Sequence, residues 1–377
     1  MQKYTFILIL LSTSLSMSAC QPKAEIADTP AVQITKQPTI KLPVKMTTPS
    51  ESKVSNDKTI MAKDCIALNQ TMQKVDSDSK IEAIYGIQDQ LKACLPTANN
   101  AEVMTLLNSY QDMYSRFLAS DLDYDYASES DYETFNNAIY ELYYGEGLSS
   151  AQLKTLTPRD QYLVGLVKND TDVSIYDEGE GYFSFTHNLK AMADIFTPYL
   201  RKDQRLFIER MAIDNQDTFW SDASVTVSFE DLIKRALFWE NYIQQYPDGY
   251  RVKDARYLLD FYRYIIFFGA ENTQWTDDAI REFMMPEDEQ MIQQLSKHPN
   301  SILAEDAQKF LNFLALPDSE RQQKYPAPNT DEEGREVGHW AIARYQLDKA
   351  LRIPSIWDEI GDKDCFNGLF CTDETTE

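Results

Sequence analysis

Histidine is nearly missing from this chain: three in 377 residues. His187, His298 and His339 stand far apart, without the close spacing that a metal site uses. No GxSxG, HExxH, phosphate-loop or GxGxxG pattern occurs. The hydrolase, metalloprotease and nucleotide chemistries that carry those signatures have no foothold here, and no cofactor is expected. Carboxylates alone can catalyse, but 60 acids single out no pair. Bases are also short: 36 against those 60 acids, a net of −24. Such a charge excludes nucleic acid as a partner, and an anionic lipid surface held by charge alone. Beyond the N-terminus no apolar run approaches the ~20 residues that cross a bilayer.

What is there begins with MQKYTFILILLSTSLSMSAC. Lys3 precedes a nearly apolar run from Tyr4 to Leu15, then small residues, then Cys20. Charge, apolar core and small residues form the order of a secretory leader. Met17-Ser18-Ala19-Cys20 resembles the lipobox of bacterial lipoproteins. The resemblance implies cleavage before Cys20 and acylation of that residue, so the membrane is a partner through Cys20. More than one acyl chain is needed for stable anchoring, at about 0.8 kcal/mol per buried methylene. Gln21 in place of Asp implies an outer-membrane, periplasm-facing location, with surface exposure an open variant. The alternative is ordinary cleavage after Ala19, leaving a free thiol.

Four cysteines remain: Cys65, Cys94, Cys365 and Cys371. An even count in an exported chain reads as two disulfides, with three pairings possible. Met61, Cys65, Leu68, Met72 and Val75 step by four and three before the polar stretch DSDSK. Ile81, Ile84, Leu91 and Cys94 keep a similar face after it. Two helices folding back at DSDSK would bring Cys65 to Cys94 and leave Cys365 with Cys371. Buried free thiols are the alternative.

Residues 21–58 hold five of the 15 prolines and show no period. They read as a tether spanning ~35 Å root-mean-square. Beyond it helical steps dominate. Val103, Leu106, Tyr110, Met113 and Phe117 form one stripe; Phe229, Leu232, Ile233, Ala236, Leu237 and Ile243 form another. Ser228-Phe-Glu-Asp231 ahead of the second is a capping box. Val252, Ala255, Leu258, Leu259, Tyr262, Ile265 and Ile266 form a third, ending at Gly269. Val173–Tyr176 and Tyr182–Phe185, parted by DEGEG, read as a β-hairpin. An irregular loop is the alternative there.

At a fixed offset, Pro247/Pro299, Asp254/Asp306, Ala255/Ala307, Leu259/Leu311 and Phe261/Phe313 coincide. Proline and a small residue reverse the chain, an alanine lets helices approach, and Leu and Phe fill the seam. Each alanine is expected to resist enlargement, and each aspartate to matter less. His298 falls where Tyr246 stands, which predicts a packing role. Over about 228–315 this pattern resembles the helix-pair repeats of exported tetratricopeptide-type lipoproteins. The resemblance implies a binding array rather than a catalyst, with an envelope protein as partner.

The expected fold is all-α: a tetratricopeptide-like helical-hairpin array with one small β-hairpin insertion. The expected organisation is a signal peptide over 1–19, a lipidated tether over 20–58 and a helical region with the clipped hairpin over 59–170. The β-hairpin with connecting helices follows over 171–227, the helical repeats over 228–353, and a tail with the small disulfide loop over 354–377. Asp121, Asp123 and Asp125 have the first spacings of a calcium loop, but Tyr126 and Tyr132 stand at its glycine and glutamate places. A solvated tyrosine-bearing loop is the main reading. Tyr124, Tyr126, Tyr140, Tyr143 and Tyr144 offer contact area, although core is expected for Tyr140 and Tyr143. The expected function is a non-catalytic protein-interaction or scaffold module of the cell envelope. The alternatives are a small-ligand-binding lipoprotein, for a cationic or aromatic compound, and an envelope-polymer hydrolase.

Overall fold

The computed structural model describes residues 63–119, 129–145, 147–169, 171–179, 181–216, 219–221, 223–330, 333–356 and 363–373. Cys20, the tether, and the acidic loop carrying Asp121, Asp123, Asp125, Tyr124 and Tyr126 lie outside these residues. Among the described residues no helix is long and apolar enough to cross a membrane. The chain is mostly helical with a small β-hairpin, as its periodicity predicts.

Helices α1 (Lys63–Met72) and α2 (Ile81–Cys94) fold back at DSDSK. Asp76 organises that turn: its carboxylate accepts from the Asp78 N–H and the Ser79 hydroxyl. Leu68, Met72, Ile84 and Leu91 are all buried in the core, and Cys65 is bonded to Cys94. Helix α3 (Asn100–Leu118) starts from a reciprocal capping box between Asn99 and Glu102. All five residues of its predicted stripe are buried. Arg116 on α3 donates to the carbonyls of Met72 and Val75, so it satisfies the open end of α1.

Helix α4 (Glu129–Tyr143), a single turn α5 (Ser150–Leu153) and α6 (Pro158–Lys168) lead into the β-hairpin. Strand β1 (Val173–Gly179) pairs antiparallel with β2 (Tyr182–His187), with an irregularity between Asp177 and Gly179. Helices α7 (Leu189–Phe196) and α8 (Lys202–Asp214) follow. Two further strand pairs, each two residues long, were not foreseen. They are β3 (Trp220–Ser221) with β4 (Ser224–Val225), and β5 (Lys363–Asp364) with β6 (Thr372–Asp373). Runs this short carry no readable alternation.

Helices α9 (Phe229–Gln245) and α10 (Val252–Phe268) form one helix pair. Ser228 caps α9 by accepting from the Asp231 N–H. The Asp231 carboxylate does not return the bond, as a full capping box would; it accepts from Arg235 instead. Gly249 permits the reversal, since a Cβ there would lie 2.5 Å from that of Tyr246. Gly269 ends α10 in the left-handed region, at φ +70°. Helices α11 (Pro286–Leu295) and α12 (Ile302–Leu314) form a second pair; α13 (Asp318–Lys324) and α14 (His339–Leu351) complete the helices.

The two pairs dock through buried charge. Glu240 on α9 accepts from the Ser301 hydroxyl at 2.6 Å and the Ile302 N–H at 2.5 Å, so it caps α12 from outside. Asp306 accepts from Arg263 of α10 at 2.5 Å and from Lys309 at 2.9 Å. Asp254 likewise takes two cations, Arg251 and Lys363. These partners bear on the expectation that the aspartates matter less than the alanines. Both are buried, and both carboxylate oxygens of each are engaged. Ala255 and Ala307 are fully buried, as expected.

Candidate functional site

A cleft of about 930 Å³ opens between α3, the inner face of the β-hairpin, β3 and the loop closed by Cys365 and Cys371. Alternation along β2 buries Phe183, Phe185 and His187. Trp220 and Phe366 supply further aromatic wall. Polar groups stand among them: Gln111, Ser115, Ser184, Thr186, Asn367 and Thr372. The described residues lining the cleft include two carboxylates, Glu178 and Asp364, and no lysine or arginine.

The C-terminal loop is the built part of this site. Cys365 is bonded to Cys371, the local pairing that the sequence predicts. Asn215 donates both amide hydrogens, to the carbonyls of Cys365 at 2.9 Å and Gly368 at 2.8 Å. Leu369 N–H donates to Gln111 at 3.0 Å, across to α3. Arg251 donates to the Cys371 carbonyl, and Tyr257 to that of Lys363. Phe366 stacks on Phe219 at 5.0 Å and meets Phe261 at 4.7 Å. Asp364 accepts from the Phe366 N–H and the Asn367 amide, which holds the loop's shape.

The field inside is anionic. Burial first, then the carboxylates of Asp364, Glu178 and Asp177, push the Tyr176 phenol up to about 12. His187 is buried and stacks on Tyr114 with ring centroids 4.3 Å apart. Burial lowers its pKa to about 4, so the imidazole is neutral near pH 7. Its Nε2 is buried without a hydrogen-bond partner. Carboxyls whose pKa burial raises, Asp214, Asp260 and Asp288, do not line the cleft.

Tyrosines gather beside the cleft. Tyr140 is 51% exposed and Tyr143 is 45% exposed, which overturns the core expectation for both. The buried face of α4 is Phe135, Ala138 and Ile139. The tyrosines fall on its flank, where Tyr143 meets Phe183 at 5.8 Å and Tyr144 donates to Asp177. That bond is the main reason the Tyr144 phenol rises to about 12. Tyr182, also exposed, stacks on Tyr132 at 5.4 Å.

The other sequence candidates do not converge here. His298 is exposed at the end of α11 and packs against nothing, contrary to expectation; the reversal before α12 leaves it outside the seam that half-buries Tyr246. His339 is exposed at the start of α14. Among the described residues no three His, Cys, Asp or Glu side chains are placed to hold a metal. The calcium candidate Asp121, Asp123 and Asp125 lies outside the described residues. Gln111, Trp220 and Phe366 were not singled out in the sequence; the short Cys365–Cys371 loop with its aromatic residues was the one available signal. No protein-family profile matches the chain, and neither curated proteins nor solved structures give a match.

Proposed function

We propose that this chain is a lipoprotein anchored through Cys20, facing the periplasm from the outer membrane, with a non-catalytic binding role in the cell envelope. The leader ending at Cys20 supports the anchor. Two disulfides suit an oxidising compartment. The observation that carries the binding role is the cleft of about 930 Å³, a size usual for ligand sites, with aromatic walls and polar groups from distant segments. The resemblance implies a binding array on the helical repeats; the geometry favours the cleft and its tyrosine rim. The five aligned positions of α9–α12 share their burial, which supports equivalent helix pairs as a packed support for the site. A photo-crosslinking residue at Tyr182, beside the cleft, tests this in living cells. It should capture an envelope component that the same group at exposed Glu305 on α12 does not. Capture from Glu305 alone would place binding on the helix pairs instead.

A further inference from the structure

We infer that the cleft takes a small organic cation: a quaternary or protonated amine on an aromatic or aliphatic body. This rests on the proposed binding role and names the chemistry of its ligand. Cation recognition needs ring faces, an anionic field and an absence of competing positive charge. Trp220 and Phe366, both only partly buried, supply the rings. Glu178 and Asp364 supply the negative charge, one from the hairpin and one from the C-terminal loop. No described lysine or arginine lines the cleft. An anion would find no counter-charge among the described lining residues, and would be repelled by a protein of net charge −24. Neutral aromatic compounds could use the walls but would gain no charge attraction from the carboxylates.

The walls are held in place before any ligand arrives. Asn215, Gln111 and Arg251 fix the loop that carries Asp364 and Phe366. A pre-formed site loses little freedom on binding, so charge selectivity is expressed as affinity.

Calorimetry on the purified full-length protein, with three probes sharing one ring, tests the inference: benzyltrimethylammonium, benzyl alcohol and benzenesulfonate. The cation should bind about tenfold tighter than the alcohol, and the sulfonate should bind weakest. Glu178→Gln, at an exposed position, should weaken the cation severalfold and leave the alcohol unchanged. Asp364→Asn keeps an oxygen that can accept from the Phe366 N–H and should do the same, with unchanged binding of the alcohol showing that the walls are in place. Added salt should weaken the cation alone. Binding of the alcohol or the sulfonate as tightly as the cation, or of the cation equally by both variants, overturns the inference. So does the absence of binding by all three. A crosslink at Tyr182 in that last case would leave the binding role standing without the cation.

Discussion

The helix pairs α9–α12 and the cleft are built in opposite ways. The pairs come from one continuous stretch, and their charges close on each other: Glu240 caps α12, and Asp306 is fully buried between two cations. The cleft is assembled from remote pieces, such as Leu369 on Gln111, 258 residues apart in the chain. It leaves a buried imidazole nitrogen without a partner and keeps several tyrosines exposed. The pairs keep buried orphans of their own, Trp239 Nε1, Tyr246 OH and Tyr262 OH, so what sets the cleft apart is its open volume and its assembly from remote segments.

Four changes should sharpen that contrast. The first belongs to the support. Asp306→Ala strands the largely buried Arg263, while the half-exposed Lys309 turns to solvent, and should cost about 3 kcal/mol in denaturant melts. Asp306→Asn should cost less, but more than a surface change.

The disulfides should separate next. Removing Cys65–Cys94, which closes a span of 29 residues, should cost about 3–4 kcal/mol in the chain-entropy model. Removing Cys365–Cys371, with a span of 6, should cost about 2 kcal/mol yet abolish benzyltrimethylammonium binding, because that loop is a wall of the cleft. Equal binding by the reduced loop would show that its hydrogen bonds alone hold the wall.

His187 gives the cleft a pH signature. Its pKa lies near 4 in the fold against an ordinary 6.5. Between those values the unfolded chain carries the proton and the folded chain does not, so stability rises with pH. The contribution is complete above the ordinary value and is lost as pH falls toward 4, at most about 3 kcal/mol. His187→Phe should flatten this part of the profile while keeping a ring against Tyr114. An unchanged slope would mean that other groups set it.

The smallest effects test the equivalence of the pairs. Ala255→Leu and Ala307→Leu overpack fully buried positions and should each cost about 1–3 kcal/mol in thermal melts. If both variants melt like the parent, the aligned alanines are a coincidence of composition.

The same contrast decides what was legible. Helix faces repeat every three or four residues, so Val103 to Phe117 and Val252 to Ile266 could be read directly. The cysteine pairings and the hairpin were legible because their partners lie close in sequence. Tyr140 and Tyr143 were misplaced because α4 carries two adjacent stripes, and only tertiary packing selects Phe135, Ala138 and Ile139 as the buried one. The aspartates' partners Arg263 and Lys363 were not legible because they lie on other elements. The cleft could not be read at all, since no periodicity relates Gln111, Trp220 and Phe366.

Hydrogen exchange on the full-length protein, with and without benzyltrimethylammonium, tests the central claim most directly. The cation should slow exchange in 173–187 and 363–373 and leave α10 and α12 unchanged. Protection confined to α10 and α12 would contradict the account, by moving the binding surface from the cleft to the helix pairs.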